Sequence, residues 1–142
     1  YVNADDIAAE LVLGAYEGAD VAAAIRGDLI AQGESFIFET VFSDPHGAKV
    51  AELEAAAKKG LPVVLIFIRI DSPETSKQRV SMRVMQGGHD VPDDKLETRF
   101  DRTLANLERA IHDLPVVLIF GNSDLANPYR LEAVHQNGER MF

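Results

Sequence analysis

The chain has 142 residues, the size of one ordinary domain, and its 46% hydrophobic and 26% charged residues exclude a disordered tail or a collagen-like repeat. The absence of cysteine excludes a disulfide scaffold, a thiol nucleophile and a cysteine-built zinc site, and fits the reducing cytoplasm. A net charge of −9 argues against nucleic acid as a partner, because that binding needs a basic surface. No apolar run approaches the ~18 residues of a transmembrane helix, so we expect no membrane partner either.

In the first half of the chain, apolar spacing predicts two helices that each lead into a strand. The first helix carries Val21, Ile25 and Leu29 on one face and ends at Gly33. It is followed by a short strand at residues 35–39 (SFIFE) and, after a second helix, by a strand at 63–70 (VVLIFIRI). The second strand is apolar on both faces, which is typical of a strand buried in a parallel sheet.

In the second half, two further helices precede a strand and a hairpin. Ser72 and Pro73 are typical of a helix start, and that helix runs to about Met85. A long amphipathic helix follows, with its predicted inner face at Leu96, Phe100, Leu104, Leu107 and Ile111. Residues 116–120 (VVLIF) predict another buried strand, and residues 130–142 predict a hairpin that turns at 137–138 (NG).

Buried strands that alternate with helices predict a parallel sheet covered on both sides. In such sheets, ligands bind at the carboxyl ends of the strands. The polar segments at those ends are therefore the candidates for chemistry, and they are residues 3–6, 39–43, 69–72 and 121–124.

Asp5 is the first candidate catalytic residue. A carboxylate at a strand end can take a proton from a substrate hydroxyl. Asp5 and Asp6 also suit the start of a helix, where acidic side chains complement the dipole, and the sequence alone favours neither role over the other. Of the two, Asp6 fits the first helical turn, so Asp5 is the predicted base.

Glu39, Thr40 and Ser43 come at the end of the short strand and face the same predicted crevice. A glutamate there can orient a substrate hydroxyl or hold a water on Mg²⁺, whose ligands are oxygens. The alternative is that Glu39 is a buried partner of an arginine.

Cations are concentrated in the two helices between residues 73 and 111. Arg79 and Arg83 lie four residues apart and share a helix face, and a second polar stripe in the next helix holds Lys95, Arg99, Arg102, Asn106 and Arg109. Two arginine-bearing helices around a Gly87–Gly88 joint can close on phosphates, because guanidinium groups bind them in bidentate fashion. The alternative is a set of ordinary surface ion pairs with aspartate and glutamate.

Several segments in order resemble one known family. NADDIA (3–8), FIFETVFS (36–43), RVSMRVMQGGHDVP (79–92), and Arg99 and Arg102 with Asn106 resemble the zeta-toxin-like P-loop kinases, in particular a small bacterial branch of predicted ATPases. The resemblance runs from Tyr1 nearly to Phe142. It implies an α/β fold in a single domain (1–142): a three-layer, nucleotide-kinase-like P-loop NTPase with a parallel sheet, a helical lid and a C-terminal hairpin.

The resemblance also implies an activity and a partner. Kinases of this family move the γ-phosphoryl group of ATP, with Mg²⁺, onto a sugar hydroxyl, and the characterised toxins act on UDP-N-acetylglucosamine. A toxin of this kind has an antitoxin protein as its partner.

Site residues carry over by motif. Asp5 falls where the family has its general base, and Arg79, Arg83 and Arg99 match arginines that contact phosphates. The residues implied to bind substrate are Asn3, Glu39, Thr40 and Ser43, and those implied to bind the nucleotide are Arg102, Asn122 and Ser123. No protein residue is implied as a metal ligand.

The sequence departs from the family pattern in three places. The family's run of adjacent arginines before Phe100 is thinned here to Leu96-Glu97-Thr98-Arg99. The phosphate loop G-x-x-x-x-G-K-[ST] does not occur in residues 1–142, so we expect its strand and loop upstream of Tyr1. That strand would lie between the strands at 35–39 and 63–70. The family's D-N-S turn reads Gly121-Asn122-Ser123 and so lacks a carboxylate.

Two other functions remain open at this point. A descendant without the phosphate loop would be a non-catalytic module that binds a nucleotide or a partner. A shikimate-like or nucleoside kinase shares the broad fold but explains the GGHDVP segment less well.

Overall fold

A computed structural model describes residues 1–142, which form five helices and four strands. The chain divides into two compact units, Tyr1–Val41 and Phe42–Phe142. The expected mixture of helices and strands is therefore confirmed. None of the helices combines the length and the apolar character that crossing a membrane would require.

The first unit is built on two helices, α1 (Ala4–Leu11) and α2 (Ala15–Gln32). They approach closely at Gly18, where a Cβ atom would lie 2.6 Å from the Cβ of Ala8. The buried residues of α2 are Gly18, Ala22 and Arg26. The predicted apolar face is thus displaced by one residue, and Ile25 is 38% exposed. Small residues at the crossing, rather than large apolar ones, decide which face of α2 packs.

The predicted strand at 35–39 is wrong in extent. Only Phe38 takes part in a ladder, as an isolated parallel bridge with Val2, and the amide of Val2 donates to the carbonyl of Ile37 at 2.7 Å. The side chain of Arg26 lies over the Phe38 ring, 4.7 Å from its centroid. A ladder of two strands has marginal stability by itself. The alternating aromatic residues of this segment were therefore not enough to extend the single bridge into a strand.

The second unit contains a four-stranded sheet in the order β1-β2-β3-β4. Its strands are β1 (Val64–Arg69), β2 (Val116–Gly121), β3 (Arg130–Gln136) and β4 (Glu139–Arg140). β1 and β2 are parallel, whereas β3 and β4 add in antiparallel fashion. The C-terminal hairpin is therefore confirmed, and the sheet is mixed rather than wholly parallel. β1 is an edge strand of this sheet, with β2 as its neighbour.

Three helices belong to this unit: α3 (Ala48–Lys58), α4 (Pro73–Met85) and α5 (Asp93–Asp113). The start of α4 is as predicted, because the Ser72 hydroxyl accepts a hydrogen bond from the amide of Thr75 at 3.2 Å and Pro73 is the first helical residue.

The hydrophobic core lies on one face of the sheet. Phe67, Val117, Ile119 and Ala133 from the strands pack there with Val50 of α3, with Leu107 and Ala110 of α5, and with Leu114, which directly follows α5. The other face of β1 is open, with Val64, Ile66 and Ile68 at 55%, 61% and 52% exposure. The prediction of a strand buried on both faces is therefore wrong for β1 in this structure. Leu104, predicted to be inside, is 39% exposed.

Candidate functional site

Asn3 forms the N-cap of α1. Its side-chain oxygen accepts hydrogen bonds from the amides of Asp5 at 2.8 Å and Asp6 at 3.2 Å, and its amide nitrogen donates to the Tyr1 hydroxyl at 3.0 Å. The cap is thus the asparagine, not either aspartate. Asn3 orients the first turn of α1, in which both acidic residues lie.

Asp5 and Asp6 are both exposed, and neither carboxylate has a hydrogen-bond or ion-pair partner. Both lie near the positive end of the helix dipole, which stabilises negative charge. A carboxylate with no protein partner is accessible to a substrate hydroxyl. Because the two share one environment, Asp6 is a matched reference for Asp5.

Glu39 and Thr40 follow the Phe38 bridge directly, so they lie at the carboxyl end of the short parallel pairing. Both residues are exposed. The Glu39 carboxylate makes no hydrogen bond or ion pair, and it is not buried, so the alternative of a buried glutamate is wrong. Its oxygens are available to a ligand.

Ser43 lies in a loop that α5 holds in place. Asn106, only 7% exposed, donates from Nδ2 to the main-chain carbonyls of Phe42 and Asp44, each at 3.0 Å. These carbonyls flank Ser43, and Phe42 has a left-handed φ of 63°. The asparagine in the predicted cationic stripe is therefore a structural clamp on the segment that carries Ser43.

Helices α4 and α5, which we call the arginine lid, are joined by ion pairs of Lys77. The Lys77 ammonium donates to the Glu97 carboxylate at 2.5 Å and lies 3.9 Å from Asp93. The hydrogen bond to Glu97 raises the pKa of Lys77, so Lys77 is positively charged at neutral pH. Val80 and Leu96 are buried, one from each helix.

Three lid arginines have no protein partner. Arg83, Arg99 and Arg102 are exposed and take part in no ion pair or side-chain hydrogen bond. Arg109 differs, because it donates to Asp113 at 3.2 Å and to the Gly47 carbonyl at 3.5 Å and lies 3.9 Å from Glu54. The alternative of ordinary surface ion pairs thus describes Arg109 and does not describe the other three.

Arg79 contacts the turn at the end of β2. One terminal nitrogen of its guanidinium donates to the main-chain carbonyl of Asn122, while its other nitrogens have no protein partner. The structure therefore brings together Arg79 and Asn122, which the sequence assigned to the phosphates and to the nucleotide.

The turn at residues 121–123 is fixed through its main chain. The Asn122 amide donates to the Arg69 carbonyl at 2.8 Å, and the Ser123 hydroxyl accepts from the Asp71 amide at 2.8 Å. The side-chain amide of Asn122 has no partner and remains available to a ligand. The sequence assigned Asn122 and Ser123 to the nucleotide, and it placed Arg69 and Asp71 in a candidate segment (69–72) without giving either a specific role.

The predicted joint at Gly87–Gly88 forms the ordered end of α4. The Gly88 amide donates to the Arg83 carbonyl at 2.8 Å, and a Cβ atom at position 88 would lie 2.5 Å from the Arg83 side chain. Gly87 has a φ of 88°, a conformation that favours glycine. The two glycines are thus needed to end the helix beside Arg83, and closure about them stays a prediction.

The structure groups no three histidine, aspartate or glutamate side chains in a way that could hold a metal ion. The groups left without a protein partner are the exposed guanidinium groups of Arg83, Arg99 and Arg102 and the side-chain amide of Asn122, which follows β2 directly.

Comparison with known proteins gives one positive finding. The family model for zeta toxins matches residues 11–133. Comparisons with curated proteins and with solved structures found no match.

Proposed function

Since this chain belongs to the zeta toxin family, we propose that the protein carrying it is an ATP-dependent phosphotransferase that acts on a hydroxyl of a UDP-sugar such as UDP-N-acetylglucosamine. The family supports kinase-type chemistry in general, and the sugar nucleotide is the finer part of the proposal. We further propose that residues 1–142 belong to one kinase domain, with the three-layer P-loop arrangement of that class.

The observation that carries this proposal is the state of Arg83, Arg99 and Arg102. The chain has a net charge of −9, with 23 acidic side chains, yet these three cations on α4 and α5 have no acidic partner. An anionic ligand would supply the negative charge that these arginines lack, and a guanidinium group can bind two phosphate oxygens at once.

The proposed reaction assigns a role to each group. The acceptor hydroxyl oxygen attacks the γ-phosphorus of ATP, the bond to the β-phosphate bridging oxygen breaks, and ADP leaves. Asp5 accepts the hydroxyl proton. Arg79, Arg83 and Arg99 stabilise the charge that spreads over the transferred group, while Arg102, Asn122 and Ser123 bind the nucleotide.

The substrate side of the proposal uses residues 3–43. Glu39 and Thr40 bind the acceptor, together with Ser43 and Asn3. Asn3 contributes by holding the first turn of α1, and hence Asp5, in place.

Mg²⁺ is proposed as part of the ATP complex. The described acidic residues form no metal-binding group, so no step is assigned to a protein-held ion. The phosphate loop that normally cradles the β- and γ-phosphates does not occur in residues 1–142, and the proposal therefore concerns the intact protein. We propose the cytoplasm as its location and an antitoxin protein as a partner.

The test is a transfer assay with the intact protein, γ-labelled ATP and a panel of UDP-sugars. We expect label in UDP-N-acetylglucosamine, and no label in UDP alone, since UDP lacks the hydroxyls of the N-acetylglucosamine ring and keeps only those of its ribose. Labelling of a different hydroxyl substrate would retain the kinase and reject the UDP-sugar. ATP binding without transfer to any acceptor would favour the alternative function, a non-catalytic nucleotide-binding module.

A further inference from the structure

Glu132 lies at an irregularity in β3 that directs its side chain. Ile119 pairs with Ala133 and Phe120 pairs with Leu131, so Glu132 is an extra residue with no partner of its own on β2. This is a β-bulge, a feature that re-aims a side chain and is common beside functional sites. The bulge is the reason that an acidic residue of β3 reaches the carboxyl end of β2.

The side chains concerned lie on one face of the sheet. Arg69 and Gly121 are register partners on the parallel strands β1 and β2. Because side chains alternate with a period of two, Arg69 lies on the same face as Phe67, and position 121 lies on the same face as Ile119. Phe67 and Ile119 belong to the hydrophobic core. A polar layer therefore sits directly beyond the core, at the end of the sheet where ligands bind in such folds.

Glu132 fills the space that a side chain at position 121 would need. A Cβ atom on Gly121 would lie 2.1 Å from the Oε1 atom of Glu132 and 2.5 Å from its carboxyl carbon. These distances are far below contact, so a side chain at 121 would require the carboxylate of Glu132 to move from its present place. The carboxylate that Gly121 cannot provide is thus present at the same place, delivered from β3.

That carboxylate organises the arginine at the end of β1. Glu132 accepts from the Nε atom of Arg69 at 3.0 Å and lies 3.8 Å from Arg130. Arg69 also donates to Asp71 at 3.2 Å, which leaves one terminal nitrogen unused. Through its carbonyl, Arg69 holds the amide of Asn122. Glu132 therefore fixes the residue to which the 121–123 turn is attached.

We propose that Glu132 is a positioning residue for nucleotide binding: through Arg69 it orients the free nitrogen of that arginine and the side-chain amide of Asn122 towards a nucleoside triphosphate. This inference rests on the proposed function in taking ATP as the ligand. It adds that Gly121 is required because the carboxylate comes from Glu132.

The steric part is tested by thermal unfolding of the intact protein. Gly121→Ala should lower the unfolding midpoint when Glu132 is present, since the methyl group meets the carboxylate. In an E132A background the same change should have little effect. Equal loss in both backgrounds would overturn the exclusion.

The functional part is tested by ATP titration calorimetry on the same proteins. Removing a charge-assisted partner of Arg69 should weaken binding about 10-fold in E132A, and E132Q should lie between E132A and the wild type. The double variant G121D/E132A restores a carboxylate at this place and should recover most of the affinity. Glu139→Ala, an exposed site on β4, is the control and should bind as the wild type does.

Two results would overturn the positioning role: an unchanged dissociation constant for ATP in E132A, whatever its unfolding midpoint, or no recovery of affinity in a folded G121D/E132A. ATP binding without phosphoryl transfer in the wild type would reject the proposed enzyme, yet the dissociation constants would still decide the role of Glu132. No ATP binding by the wild type would overturn both proposals.

Discussion

The side chain of Asn106 donates a hydrogen bond to the main-chain carbonyl of Phe42 at 3.0 Å, and this bond joins the middle of α5 to the segment that carries Ser43. The same amide nitrogen serves the Asp44 carbonyl, so one buried side chain satisfies two carbonyls of an irregular segment. Such carbonyls are costly when left without a donor.

Asn106→Ala should therefore destabilise the protein by about 1–3 kcal/mol, the usual consequence of leaving buried acceptors unpaired. Urea unfolding of the variant and the wild type measures this. Glu108→Ala, on the exposed side of α5, is the matched control and should change the free energy of unfolding by less than about 0.5 kcal/mol. Equal stability of Asn106→Ala and the wild type would show that the clamp contributes nothing.

Asp5→Asn should lower kcat about 10²–10⁴-fold, the size of a general-base contribution, with the fold intact. Asp6→Asn removes the same charge from the same helix turn, so it controls for any effect on α1. Its kcat should change little. Similar losses in the two variants would assign the effect to the helix start and not to a base.

Arg83→Ala should reduce kcat about 10²–10³-fold and raise the KM for ATP much less, because its contact strengthens as charge develops in the transition state. Arg83→Lys keeps the charge without the planar fork and should recover part of the activity. Steady-state kinetics of both variants measure the effect.

Arg109 and Lys59 are the two candidate control sites for these arginine variants. Arg109 belongs to the same predicted stripe, and the sequence alone favours it as a tolerant control. Its bonds to Asp113 and Gly47 make Arg109→Ala a stability variant instead. Lys59, exposed at the end of α3 and without a partner, is the better choice, and Lys59→Ala should have normal kinetics. A comparable loss of kcat in Lys59→Ala would mean that Arg83 acts only through overall charge.

Asp113 provides a pH-dependent element at the end of α5. Hydrogen bonds from His112 at 2.7 Å and from Arg109 at 3.2 Å lower the pKa of its carboxyl below the ordinary 3.8. A lowered pKa in the folded state stabilises the protein above the ordinary value, and that contribution is lost as the pH falls through the lowered one. Asp113→Asn should therefore lower the unfolding midpoint at pH 6.

The difference from the wild type should shrink as the pH falls below the lowered pKa. Thermal unfolding across this range measures it, with the exposed Asp101→Asn of the same helix as the control. A difference that persists unchanged at the acid end would assign the effect of Asp113→Asn to packing.

The sequence predicted α4 and the hairpin well because their signals are local. Ser72 and Pro73 begin α4 through contacts within one turn, and Asn137 and Gly138 form the hairpin turn with positive φ values. Such features depend on a few neighbouring residues, so they can be read without knowing the rest of the fold.

Predictions that depended on distant contacts fared worse. Asn106 and Arg109 have the spacing of a solvent-exposed cationic stripe, yet Asn106 is buried because the loop at Phe42 happens to pass beside it. Glu132 could not be placed, since its direction depends on a bulge in the pairing of β3. The sequence shows that Gly121 stands where the family pattern has an aspartate. It does not show that Glu132 of β3 brings a carboxylate to the same place.

The proposed function is the transfer of a phosphoryl group from ATP by the intact protein, through the chemistry of Asp5 and the lid arginines. Its most direct test is ³¹P NMR of the wild type and of Asp5→Asn with ATP, Mg²⁺ and UDP-N-acetylglucosamine. We expect the wild type to form ADP together with a new phosphomonoester resonance, and Asp5→Asn to form this product at least about 100-fold more slowly. Unchanged ATP in the wild-type sample, or equal rates in the two proteins, would contradict it.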